Sequence, residues 1–138
     1  MKSSKLLAIS LVLISGIIFS VWGVSYLLDD SLEVRITPDK EIYYPSDTMT
    51  IILSIESPRD LDGVKISVEG IQDSRGLNKI SKTYEKNLSE GINNITIEYI
   101  TPYCSKCTGI DPGVYFINAT VAYEDVLINS THNVTIDI

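Results

Sequence analysis

The chain is poor in the side chains that most often carry chemistry. Its 138 residues hold one His, two Cys and one Trp. A lone His leaves no imidazole pair to share a metal or relay a proton, and no Ser or Cys stands at a recognisable spacing from a base. Glycine-rich phosphate loops are absent too, because Gly109 and Gly113 are isolated turn glycines. Positive charge is also scarce: 11 Lys and Arg face 18 Asp and Glu, for a net charge of −7. A chain this acidic would be repelled by nucleic acid before any base could be read. These absences argue against an enzyme, a nucleic-acid-binding protein, a resident cofactor or a metal site.

Acidic residues are missing from one region altogether. None of the 18 precedes Asp29, and residues 6–28 carry no charge of either sign. Beyond Lys2 and Lys5, the nine remaining basic groups leave the rest of the chain at −9. A helix over these 23 apolar residues would be about 34 Å long, enough to cross a hydrocarbon core of about 30 Å. Lysines before it and the Asp29-Asp30 pair after it place the amino terminus in the cytoplasm and the remainder outside, with Trp22 and Tyr26 at the outer interface. The expected organisation is a cytoplasmic start (1–5), a signal-anchor helix contacting the membrane (6–28), a short linker (29–31) and an extracytoplasmic domain (32–138). The alternative is a cleaved secretory signal, with Gly23 and Ser25 as the small residues before Tyr26. Against cleavage, the apolar run exceeds the roughly 7–15 residues usual for a signal core.

From Leu32 onward the apolar residues recur with period two, the pattern of half-buried antiparallel strands. Leu32, Val34 and Ile36 alternate with polar residues in a first strand, and Met49, Ile51, Leu53 and Ile55 form one face of a second. Val64, Ile66 and Val68 mark a third that stops at Gly70, before a polar loop over residues 72–78. A polar fourth strand (79–87) reads as a lysine-bearing edge. Ile95, Ile97 and Tyr99 define the fifth, a loop spans 101–112, and Tyr115, Ile117, Ala119 and Val121 define the sixth. Val134, Ile136 and Ile138 point inward from the seventh. Seven short strands and no helical period after residue 28 predict an all-β, antiparallel sandwich behind one amino-terminal helix.

Two segments carry a resemblance. YYPSDTMTIILSI is similar to the Y-x-P-G-D-x-V-x-I lead-in to the second strand of prokaryotic immunoglobulin-like domains, and GVYFINATV to their G-x-Y-x-I-x-A-x-V sixth strand. These families include cell-surface Ig-like repeats, CARDB-type adhesion-associated modules and macroglobulin-like domains. The resemblance covers residues 32–138 and implies a seven-stranded Ig-like sandwich. Ser46 stands where these families have Gly, and the second-strand Cys and third-strand Trp of antibody domains are missing. With strands in Ig order, the loops over 38–47, 70–78 and 101–112 share the end opposite chain entry.

Five N-x-S/T triplets, at Asn87, Asn94, Asn118, Asn129 and Asn133, are glycosylation candidates. Asn94, Asn118 and Asn133 fall on the outward phase of their strands, where a glycan would meet solvent. Such modification fits an extracellular protein of archaeal type. Cys104 and Cys107, in Cys-Ser-Lys-Cys, are expected to close a small disulfide in an exported domain. An interchain link, a metal shared between two chains, a redox pair and free thiols are the other readings, although the loop is expected to lack the helix that activates a redox thiolate. His132 reads as a hydrogen-bonded strand residue. Asp60, Asp62 and Asp73 lack EF-hand spacing and so read as solvated acidic surface instead of a calcium site.

The leading functional expectation is a non-catalytic envelope module, adhesive or associated with a surface layer, that binds a protein partner or a second copy of itself. A component of a pilus- or archaellum-type filament and a thiol-redox or metal-handling protein are the alternatives.

Overall fold

The computed structural model describes residues 31–137. The helix expected over 6–28 and Ile138 lie outside them. Among the described residues, no helix is long and apolar enough to cross a membrane.

The chain runs through β1 (Glu33–Pro38), β2 (Ile42–Tyr43), β3 (Thr48–Ser57), β4 (Leu61–Gln72), β5 (Asn78–Leu88), β6 (Gly91–Ile100), one helical turn α1 (Ser105–Thr108), β7 (Gly113–Tyr123) and β8 (Val126–Ile136). Two sheets form, with strand orders β1-β3-β6 and β2-β8-β7-β4-β5. The seven long strands are those the period-two pattern predicts. The eighth, β2, is a dipeptide lying parallel to β8, with Ile42 opposite Thr135 and Tyr43 opposite Ile136. Two residues are too few to show a period.

Alternation along each strand builds the core directly. Met49, Ile51, Leu53 and Ile55 of β3, Val64, Ile66 and Val68 of β4, and Ile117, Ala119 and Val121 of β7 are all buried. Because residues i and i+2 share a face, each of these strands buries one set and offers the other to water. Two irregularities shift the phase of β4. The pairing with β5 slips between Leu61 and Val64, where Gly63 takes φ +68°. Further on, Ile71 takes φ +53° and is fully buried, so the strand continues past Gly70 instead of ending there. Gly70 is required by proximity, since a Cβ there would lie 2.6 Å from the Phe116 carbonyl oxygen.

β5 is an edge strand, as its lysines predict, and pairs with β4 instead of crossing to the other sheet. The first strand begins with Glu33 beside Glu56, near the short turns that follow β3, β5 and β7. The connections over 39–47, 73–77 and 101–112 meet at the opposite end, together with Ile136, which pairs with Gly113.

Candidate functional site

The three connections are tied into one surface by backbone groups that strands cannot satisfy. Ser46 N–H donates to the Thr101 carbonyl (3.2 Å), and Thr101 N–H donates to that of Asp47 (2.9 Å). The buried Thr101 hydroxyl reaches the Tyr44 and Asp47 carbonyls. Ser74 N–H donates to the Gly109 carbonyl (2.9 Å), so the 73–77 turn is fastened to the cysteine loop. Ile110 anchors that loop from the core side, fully buried. Above this base, Tyr44, Leu77, Ile100 and Tyr103 are exposed, Tyr103 by 85%.

Cys104 and Cys107 are joined, with Cα atoms 5.4 Å apart. Contrary to the expectation of a non-helical loop, residues 105–108 make one helical turn. Cys107 N–H points to Cys104 Sγ at 3.3 Å, and the Thr108 hydroxyl donates to the Cys104 carbonyl at 3.1 Å. A turn of four residues has almost no macrodipole, and no parallel strand-helix-strand unit surrounds it. The bond closes residues 104–107 into one short covalent loop.

Asp73 corrects the expectation of a solvated acidic surface. Its side chain is buried, with Oδ1 accepting from Arg75 N–H (2.9 Å) and Leu77 N–H (3.0 Å). Its Oδ2 accepts from Arg75 Nη2 (2.9 Å) and faces Lys79 Nζ at 3.1 Å. The Leu77 N–H first, then the Arg75 and Lys79 side chains, hold its carboxyl well below the usual carboxylate range. These donors fill the positions a calcium ion would need. A second polar cluster supports the 39–47 connection: the fully buried Tyr43 donates its hydroxyl to Asp39 Oδ1 (2.7 Å), which also accepts Thr50 N–H (2.8 Å). Burial, then the Asp39 carboxylate, push the Tyr43 phenol far above its ordinary value. Burial would raise Asp39, but the Tyr43 and Thr50 hydrogen bonds outweigh it and the net shift is downward.

His132 also departs from expectation. It is half-buried on β8, its Nε2 makes no hydrogen bond, and the nearest carboxylate oxygen, Glu41 Oε1, is 3.6 Å away. Among the described residues, no group of three or more His, Cys, Asp or Glu could hold a metal.

The five sequon asparagines lie on strands and are exposed. Four are anchored through the side-chain oxygen. Asn87 Oδ1 accepts Gly63 N–H (3.0 Å), and Asn94 Oδ1 accepts the Ser54 hydroxyl (2.8 Å). The other two lock together: Thr131 donates to Asn118 and Thr120 to Asn129, both at 2.8 Å. This reciprocity follows from register, because Asn118 faces Thr131 and Thr120 faces Asn129 across β7 and β8. Sequence reading alone misses the pairing, since it requires knowing which strands are neighbours.

No family model and no curated protein matches the sequence. Solved structures do. The CARDB domain of the PF1109 protein from Pyrococcus furiosus, determined in complex with di-metal ions, aligns with a TM-score of 0.57 at 18% identity, over 78% of this chain and 88% of that one. Spo0M, a sporulation control protein from Bacillus subtilis, aligns with a TM-score of 0.55 at 10% identity over 78% of this chain and 50% of its own, so the chain spans half its length. A β-glucosidase from Listeria innocua aligns at 0.54 and 15% identity, but over only 16% of that enzyme. At such identities the likeness shows the fold, a CARDB-like Ig-type β-sandwich, and the glucosidase match is confined to a small part of the enzyme.

Proposed function

We propose that the protein is a membrane-anchored, extracytoplasmic Ig-like module of the cell envelope that works by binding through its 39–47, 73–77 and 101–112 end. One observation carries this reading: that end is held rigid by a disulfide, inter-loop hydrogen bonds and the buried Asp73, yet exposes Tyr44, Leu77, Ile100 and Tyr103. Aromatic residues on a pre-organised base lose little entropy on association and are the usual anchors of protein interfaces. A disulfide in a small sandwich also fits an oxidising compartment. The −9 charge beyond the apolar run keeps such a domain soluble and selects against acidic partners.

The test is affinity capture from native membranes with the full chain, comparing wild type with Tyr103→Ala and with a chain whose residues 105–111 are replaced by a Gly/Ser linker. A specific partner recovered by wild type and reduced about tenfold by Tyr103→Ala, as for the loss of one aromatic anchor, is the expected result. Equal recovery by all three chains would move the binding surface elsewhere.

A further inference from the structure

On the outer face of the five-stranded sheet lies a hollow of about 370 Å³, within the size range of small-ligand sites. Gly70 forms its floor, while Gln72, Asn78, Val114, Phe116 and Asn118 stand around it. No charged side chain lines it, and Glu69 Oε2 accepts from Asn78 Nδ2 of its rim at 3.4 Å. Phe116 faces water: it is 56% exposed, two residues before Asn118 on the same face of β7. Amide groups around an exposed aromatic ring suit a neutral, polyhydroxylated ligand that presents one apolar face, as a sugar ring does.

One side chain at the rim of the hollow is held in a fixed orientation. Asn118 stands between Thr131 of β8 and Glu69 of β4. Its Oδ1 is held on the β8 side by the Thr131 hydroxyl. With Oδ1 taken by Thr131, the amide nitrogen of Asn118 is left for the attachment, and Asn118 itself borders the hollow. Asn133 also neighbours Phe116 in register, but from the β8 side, away from the hollow.

We infer that Asn118 carries an N-linked saccharide whose first residue packs on Phe116 and occupies this hollow. The inference rests on the reading of the domain as exported. In forming the link, Asn118 Nδ2 bonds to the anomeric carbon of a phosphate-activated oligosaccharide. The bond from that carbon to the phosphate oxygen breaks, the phosphate leaves with its electron pair, and one amide proton passes to the transferring enzyme's base. Gln72 donates its Nε2 to the Gly76 carbonyl (3.0 Å), which leaves its Oε1 to accept a sugar hydroxyl.

The test combines glycopeptide mass spectrometry with thermal unfolding of the full chain purified from its own membranes. Expected are an occupied Asn118 and a melting temperature that falls, when Thr120→Ala abolishes the sequon, by about 4 °C beyond the drop the same substitution causes in the unglycosylated chain, where it removes only the Thr120–Asn129 hydrogen bond, with Thr120→Ser restoring both. In a Phe116→Ala background the glycan-dependent shift should vanish, because its partner is gone. A bare Asn118 beside other occupied sequons overturns the inference and spares the exported reading, whereas five bare sequons overturn it together with the expectation of a glycoprotein. A Phe116-dependent shift on Thr135→Ala but not on Thr120→Ala would assign the hollow to Asn133 and overturn it as well. Phe116-dependent binding of free oligosaccharide by a chain whose Asn118 is bare in native membranes would make this a lectin-like site instead.

Discussion

Ser46 carries φ +63° in the turn that leads into β3, the position where similar Ig-like domains have Gly. A Cβ in that region is costly, so Ser46→Gly should stabilise the domain by about 0.5–1 kcal/mol, measured by urea unfolding of the wild-type and variant full chains. The Y-x-P-x-D pattern was therefore informative about backbone shape even where one residue departs from it. Asp73 was not legible in this way. Its neighbours Gln72, Ser74 and Arg75 are all exposed, and only the packing of the 73–77 turn against Gly109 buries it. A carboxyl held below its unfolded value stabilises the fold at pH above about 4 and loses that contribution as pH falls through this value toward the folded one. Wild type should thus lose stability steeply on acidification below about pH 5, and Asp73→Asn should be less stable at neutral pH with a shallower acid slope. Chemical denaturation across pH 2–7 reads both. Tyr43→Phe removes the hydrogen bond from the buried Tyr43 ring to the exposed Asp39 carboxylate and should cost about 1 kcal/mol in the same assay.

At the scale of elements, the long strands were readable because burial follows period two, and the breaks in that period were not. Leu61 and Val64 are both buried three positions apart, as are Val68 and Ile71, and each pair spans a backbone irregularity centred on Gly63 or Gly70-Ile71. Gly70→Ala should be severely destabilising, since the added methyl meets the β7 backbone and not a flexible side chain. The α1 turn was missed for a different reason: it contains no apolar repeat and is shaped by its disulfide. Because the bridge closes so short a loop, replacing both Cys104 and Cys107 by Ser should cost only about 2 kcal/mol globally. The larger effect should be local, as faster amide exchange over residues 101–112 with the β7 and β8 amides unchanged.

For the whole molecule, charge and hydropathy divide the sequence at Asp29 into a run without charge and an acidic domain. The sandwich explains the second part, with apolar residues between two sheets and the 16 Asp and Glu of the described residues left mostly to the surface. It also explains why three loops distant in sequence form one end: antiparallel strands return alternate connections to the same side. Which face of a membrane the domain occupies is the central claim, and labelling of intact cells with a membrane-impermeant amine reagent tests it most directly. Lys65, Lys82, Lys86 and Lys106 should be modified on intact cells, while Lys2 and Lys5 should react only after permeabilisation. Protection of the four domain lysines until the membrane is breached would contradict the account.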